Sequence, residues 1–183
     1  SGATACAPTS DAAPVEQIRP VEIRAARPED LSRITALTLA AYLPALKYGD
    51  DDPYRATLAD SAGRANDAEL LVAVRDDVVV GTITLCRPGT PYAEIASADE
   101  LEVRMLAVDP TVQRSGVGTA LMAHARATAA TEGYAAVVLS VIDSNERAAS
   151  FYRALGYERV PDRDWKPVPH VLLLVSRCPV SSA

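Results

Sequence analysis

The stretch Leu101–Tyr157 restricts the fold more than any other part of the chain. Leu101–Val108 reads as a strand that Asp109-Pro110 ends. The turn Gln113-Arg114-Ser115-Gly116-Val117-Gly118 then opens a helix from about Ser115 to Glu132, and Gly133 suits its C-terminal cap. Tyr134–Val141, rich in Val, is a second strand. Asn145–Leu155 is a second helix, with Ala148, Phe151, Tyr152 and Leu155 on one face and Gly156 at its end. This order commits the stretch to a sheet with helices packed on it.

The flanks extend the same pattern. Residues 1–19, rich in Ala, Ser, Thr and Pro without period, are expected to be a disordered tail. Val21–Arg24 predicts a strand. Pro28-Glu29-Asp30 opens a helix whose buried stripe is Leu31, Ile34, Leu37 and Ala41. An acidic loop, Gly49-Asp50-Asp51-Asp52, precedes Pro53 and a short helix through about Arg64. Leu70–Val74 and Val78–Cys86 form a hairpin across Arg75-Asp76-Asp77, and 87–100 is a long loop. Val171–Ser176 is a last strand after a Pro-rich loop with Trp165 and His170. The fold class is therefore α/β or α+β with a mixed central sheet flanked by helices. One domain is expected over residues 20–178, with 179–183 a C-terminal tail.

A net charge of −6 argues against general nucleic-acid binding, whose affinity comes from neutralising phosphates. Cys6, Cys86 and Cys178 have neither zinc nor Cys-x-x-Cys spacing and read as reduced thiols of a cytoplasmic protein. No apolar run spans a bilayer, and the N-terminus lacks a signal-peptide pattern. His124 and His170 lie far apart without matching carboxylates, so neither a metal site nor a Ser-His-Asp set is expected.

The glycine turn has a chemical reading. A helix N-terminus presents unpaired N–H groups and a partial positive charge. Gly116 and Gly118 clear side chains from where a phosphate must approach. The exposed dipole contributes only about 0.3–1 kcal/mol, so several N–H bonds must carry the affinity. Arg114 adds a charged donor. A lone Gly-x-Gly is equally a tight connection. No Gly-Lys-Ser/Thr of a P-loop is present, and Thr119-Ala120-Leu121 with Val141-Ile142-Asp143 fits the dinucleotide fingerprint only loosely.

The whole stretch resembles the GNAT superfamily of acyl-CoA-dependent N-acyltransferases. The family's Gln/Arg-x-x-Gly-x-Gly/Ala stands as Gln113–Gly118 after Met105-Leu106-Ala107-Val108-Asp109-Pro110. Its later helix stands as Asn145, Ala148 and Tyr152-Arg153-Ala154-Leu155-Gly156-Tyr157. The resemblance implies acetyl-CoA as co-substrate, with the coenzyme's pyrophosphate on the amides of Gln113, Arg114, Ser115, Gly116, Val117, Gly118 and Thr119. It implies a pantetheine arm along the open edge of strand 101–108, beside Leu106, Ala107 and Val108, with backbone bonds at Leu106 and Val108. The Leu106 N–H would polarise the thioester carbonyl, Asn145 would contact the arm, and Tyr152 would sit near the sulfur. The family often forms homodimers, and its acceptors are small-molecule or peptide amines.

Elementary chemistry asks for the same parts. Transfer to an amine needs oxyanion stabilisation, a proton for the thiolate and a base for the ammonium. Tyr152 supplies a donor hydroxyl at neutral pH. Its position also suits a core aromatic. Plain alternation puts Glu102, Arg104, Leu106 and Val108 on one face, which makes Glu102 the candidate base, about 13 Å from Leu106 and acting through water. Glu102 is equally a strand-end acid or a partner of Arg104, and Glu100 is a weaker candidate. Tyr42, Tyr48, Asp50, Asp51, Asp52 and Tyr54 offer an acidic, aromatic surface for a cationic amine, or simply a solvated turn with Asp52 as helix cap. The expected function is direct acetyl transfer to a primary amine in a ternary complex. A noncatalytic acyl-CoA-binding module and an unrelated nucleotide-binding domain are the rivals.

Overall fold

In the computed structural model, residues 20–45, 54–169 and 171–180 are described. Tyr48, Asp50, Asp51, Asp52, His170, the tail 1–19 and residues 181–183 lie outside them.

The strands are β1 (Glu22–Ala25), β2 (Glu69–Arg75), β3 (Val78–Cys86), β4 (Glu100–Val108), β5 (Ala136–Ile142), β6 (Glu158–Arg159), β7 (Trp165–Val168) and β8 (Val171–Pro179). The helices are α1 (Leu31–Tyr42), α2 (Tyr54–Ala59), α3 (Ser61–Asp67), α4 (Val117–Thr131) and α5 (Glu146–Ala154). The sheet order is β1-β2-β3-β4-β5-β8-β6, with β7 paired to β8. Among the described strands, only β4 and β5 pair in parallel, as their connection through α4 allows.

Two apolar layers cover the sheet. One packs α4 and α5 against it, with Leu121, Met122 and Ala125 meeting Leu101, Val103, Val137 and Leu139. The other packs Ile34 and Leu37 of α1 on Leu70, Val72, Val79 and Ala107. Gly81 explains how closely α4 lies on β3: a Cβ there would stand 2.8 Å from Val117 Cγ1 and 3.1 Å from Leu121 Cδ1.

Several sequence expectations shift. The helix expected through Arg64 is two helices, because Asp60 breaks it and caps α3, accepting from the Gly63 N–H at 2.8 Å. Ala41 is exposed, and Thr38 takes the buried place by bonding Ile34 O at 2.9 Å. Strands β6 and β7 occupy what read as loop. They are short edge pieces whose residues are mostly exposed, so they carry little apolar signal.

Candidate active site

The parallel ladder between β4 and β5 covers only Glu100↔Ala136 to Val103↔Leu139. Beyond it, among the described residues, no β5 residue pairs with Arg104–Val108. The Asp109 N–H bonds Val80 O at 2.9 Å, toward β3. Alternation then turns the main-chain groups of Val108, and of Leu106 two residues earlier, toward the β5 side. The backbone groups at this edge have no partner in β5.

Plain alternation fails within β4. Thr84 pairs with Arg104 and Thr82 with Ala107, so an extra residue sits between. Met105, with φ 52°, is the bulge. The expected common face of Glu102, Arg104, Leu106 and Val108 is therefore corrected. Leu106 and Val108 pack on the α4–α5 layer, and Ala107 joins the α1 layer. Cross-strand partners share a face, so Glu102, opposite Cys86, and Arg104, opposite Thr84, lie on the α1 side with Ala107. The bulge separates Glu102 from the face that Leu106 occupies.

The turn between β4 and α4 leaves backbone amides free at a helix N-terminus. Asp109 Oδ1 accepts from Thr111 N at 2.8 Å and Thr111 Oγ1 at 2.7 Å. Arg114 and Gly116 take left-handed φ values of 67° and 81°. The first bond of α4 is Ala120 N to Gly116 O at 2.9 Å, so the N–H groups of Val117, Gly118 and Thr119 have no acceptor within the helix. Gly118 fits where Phe151 approaches, since its Cβ would be 3.2 Å from Phe151 Cζ. Arginines from three other elements grip this segment. Arg33 of α1 pairs with Asp109 and gives Nε to Val79 O at 3.1 Å. Arg75 of β2 holds Ser115, and Arg147 of α5 gives Nη2 to Gln113 Oε1. Such distant partners leave no spacing signal in the sequence.

Helix α5 brings its residues to the same region. Asn145 caps it, Oδ1 accepting from Ala148 N at 3.1 Å, and its Nδ2 takes no part in the cap. Tyr152 is 9 % exposed and meets Phe151 and Tyr157 edge to face at 5.1 and 5.8 Å. Burial, with Tyr157 beside it, pushes the Tyr152 hydroxyl above its ordinary range, so it remains a proton-bearing donor.

The acids of β4 are tied down. Glu102 is 2 % exposed, and its Oε2 accepts from the amides of Glu94, Ile95 and Ala96 at 2.8, 2.9 and 3.2 Å. Burial pushes its carboxyl upward, and those three amides oppose the shift. Arg104 adds a bond to Tyr92 O at 2.8 Å and an ion pair with Glu94 at 3.3 Å. Tyr92 in turn donates to Asp60 Oδ2 at 2.9 Å. The 87–99 loop is thus fastened to β4 and α3. Glu100 binds Arg163 at 2.8 Å and Arg177 at 2.7 Å. Burial alone would raise its carboxyl, but Arg163, the Ser97 amide and Arg177 hold it down at about 2. It is an ionic hub that joins β4 to Arg163 and Arg177. His124 lies half-buried on α4, and Tyr54 is 36 % exposed at the start of α2.

No helix among the described residues is long and apolar enough to cross a membrane. Residues 31–157 match the Acetyltransferase (GNAT) family. The chain is 32 % identical over 143 residues to an uncharacterised protein of Mycobacterium leprae (strain TN), covering 77 % of this chain and 35 % of that protein. It is 32 % identical over 112 residues to a mycothiol acetyltransferase of Cellulomonas flavigena, covering 57 % of this chain and 32 % of that enzyme. The chain thus spans about a third of the length of the curated relatives it matches. Among solved structures it is similar to the PaiA N-acetyltransferase of Thermoplasma acidophilum in complex with coenzyme A. There the TM-score is 0.66 at 17 % identity, over 87 % of this chain and 99 % of that one. A β4–β5 ladder that ends at Val103↔Leu139, a bulged β4 and free amides at the start of α4 thus come with a family match over more than half the chain, and the chain belongs to the GNAT acetyltransferase family.

Proposed function

We propose that this domain transfers an acetyl group from acetyl-CoA to a primary amine, directly and in a ternary complex. The observation that carries the reading is the end of the β4–β5 ladder at Val103↔Leu139, beside the bulge at Met105 and next to the cradle at α4. The residues fit a coenzyme. The amides of Val117, Gly118 and Thr119, with Gly116 and Arg114 in the turn, suit a pyrophosphate. Gln113 and Ser115 frame that turn. The open edge at Leu106 and Val108, with Ala107 between them facing β3, suits an amide-bearing arm, with Asn145 Nδ2 as a donor from α5.

Each remaining group has one task. The Leu106 N–H donates to the thioester oxygen as charge develops there, a contribution worth about 10²–10³ in rate for a fixed donor. As the C–S bond breaks, Tyr152 gives its hydroxyl proton to the departing sulfur and is reprotonated by the proton that the attacking nitrogen loses on forming the amide. Its raised pKa keeps it protonated throughout the working range. Glu102 lies on the opposite face from Leu106 and is deeply buried, so it takes the ammonium proton through water. Burial makes it a stronger base than an exposed carboxylate.

The setting we assign is the cytoplasm, where Cys86 and Cys178 remain thiols, and burial pushes Cys86 up to about 12. Acetyl-CoA titrated calorimetrically into the protein should bind. Thiol release should then appear with one class among polyamines, aminoglycosides, amino acids and peptide N-termini. No heat and no thermal shift at high micromolar acetyl-CoA would overturn the cofactor assignment. Binding without turnover on every class would leave the noncatalytic module.

A further inference from the structure

Ser115 sits between two left-handed residues, Arg114 at φ 67° and Gly116 at φ 81°. Glycine adopts that region freely and arginine does not. A residue stays there only when its surroundings hold it. The holding is visible. Arg75, the last residue of β2, gives Nη1 to Ser115 Oγ at 3.1 Å and Nη2 to the Ser115 carbonyl at 3.3 Å. The Ser115 hydroxyl spends its own proton on Val112 O at 2.5 Å. The side chain and carbonyl of Ser115 are thus both fixed. Because the peptide is planar and trans, a Ser115 carbonyl aimed at Arg75 points the Gly116 N–H the opposite way. Arg75 is half-buried and Gly116 exposed, so that N–H faces the open side of the turn. The Arg75 Nε is buried and makes no hydrogen bond, so the hydrogen bonds of this guanidinium go to Ser115.

We propose that Arg75 is a positioning residue for the cofactor: by clamping Ser115 from behind, it presets the amides of the turn to converge on a diphosphate. The inference rests on the acetyl-CoA reading above. Arg75 itself does not touch the ligand. It acts through the conformation of a turn that would otherwise relax when empty. The loop entropy saved before binding appears as affinity.

The test compares wild type, Arg75→Ala, Arg75→Lys and Ser115→Ala by calorimetry with acetyl-CoA and coenzyme A, and by steady-state kinetics. Arg75→Ala should raise Kd and KM for acetyl-CoA at least tenfold. Its kcat at saturating acetyl-CoA and its acceptor KM should stay within about twofold. Arg75→Lys keeps the charge but cannot serve both oxygens, so it should recover only part of the affinity. Ser115→Ala keeps the carbonyl contact and should show a smaller loss. Combined with Arg75→Ala it should add almost nothing. Unchanged Kd in Arg75→Ala, or equal losses in kcat and in both KM values, overturns the proposal. If Arg75→Ala does not fold, full affinity in both Arg75→Lys and Ser115→Ala does the same. Failure of the wild type to bind acetyl-CoA removes the cofactor reading, whereas binding that ignores Arg75 removes this inference alone.

Discussion

Arg104 and Ala107 share a face of β4 although they are three residues apart. Thr84 and Thr82, their partners two residues apart on β3, fix this relation, and the left-handed Met105 makes it sterically possible. The bulge places Arg104 on the α1 side, with Tyr92 O and Glu94 as its partners. The same step gives Leu106 the opposite face for its side chain.

Arg104→Ala should therefore loosen the 87–99 loop without disturbing the cradle at α4. The acceptor kcat/KM is expected to fall roughly tenfold or more while the acetyl-CoA Kd stays near wild type, as read by kinetics and calorimetry. A matching loss of acetyl-CoA affinity would contradict this division of the site.

Glu102→Gln separates anchoring from base chemistry. The amide oxygen of Gln still accepts from the Glu94–Ala96 amides, so the melting temperature should change little. A neutral amide takes no proton. The kcat of wild type should fall as pH drops through the raised Glu102 value, and that limb should vanish in the variant along with roughly 10²-fold of rate. An unaltered pH–rate profile removes Glu102 from the reaction.

Tyr152→Phe should lower kcat by roughly a hundredfold and leave the acetyl-CoA Kd within about threefold, because the ring keeps its contacts with Phe151 and Tyr157. Stopped-flow thiol release measures it. Wild-type turnover in the variant would eliminate the donor role.

Glu100 ties folding to pH. Its carboxyl is held at about 2 in the fold against an ordinary 4.5. A lowered value means that the folded state favours the ionised form. The stabilisation is complete above about pH 4.5 and fades as pH falls toward 2. Glu100→Gln should lose about 2–3 kcal/mol at pH 7 and show a flatter acid transition, by urea melts across pH. Parallel acid curves for the two proteins would contradict the assignment.

Gly81→Ala puts a methyl group 2.8 Å from Val117 Cγ1. We expect a loss of about 1–3 kcal/mol and a weaker acetyl-CoA Kd, since α4 must lift at the end that carries the cradle. Thermal melts and calorimetry report both.

How much of this was legible in the sequence depends on the range of the interactions. The strand β4, the glycine turn that opens α4 and the Asn145 cap are local and could be read directly. Local rules failed at Met105, where a bulge inverts every later side chain and nothing in Arg104-Met105-Leu106 announces it. They also missed Arg75, Arg147 and Arg163, whose partners lie 40, 34 and 63 positions away. An arginine's partner is decided by the fold, so composition and spacing could not assign it.

Four residue pairs are all that join β4 to β5. The sheet is therefore seamed between β4 and β5 at one end, and beyond Val103↔Leu139 the described residues carry the ladder no further. A molecule that bonds the backbone in the gap acts as a removable stitch. Occupancy should then slow amide exchange well away from the bound molecule, in β3 and β8 alike.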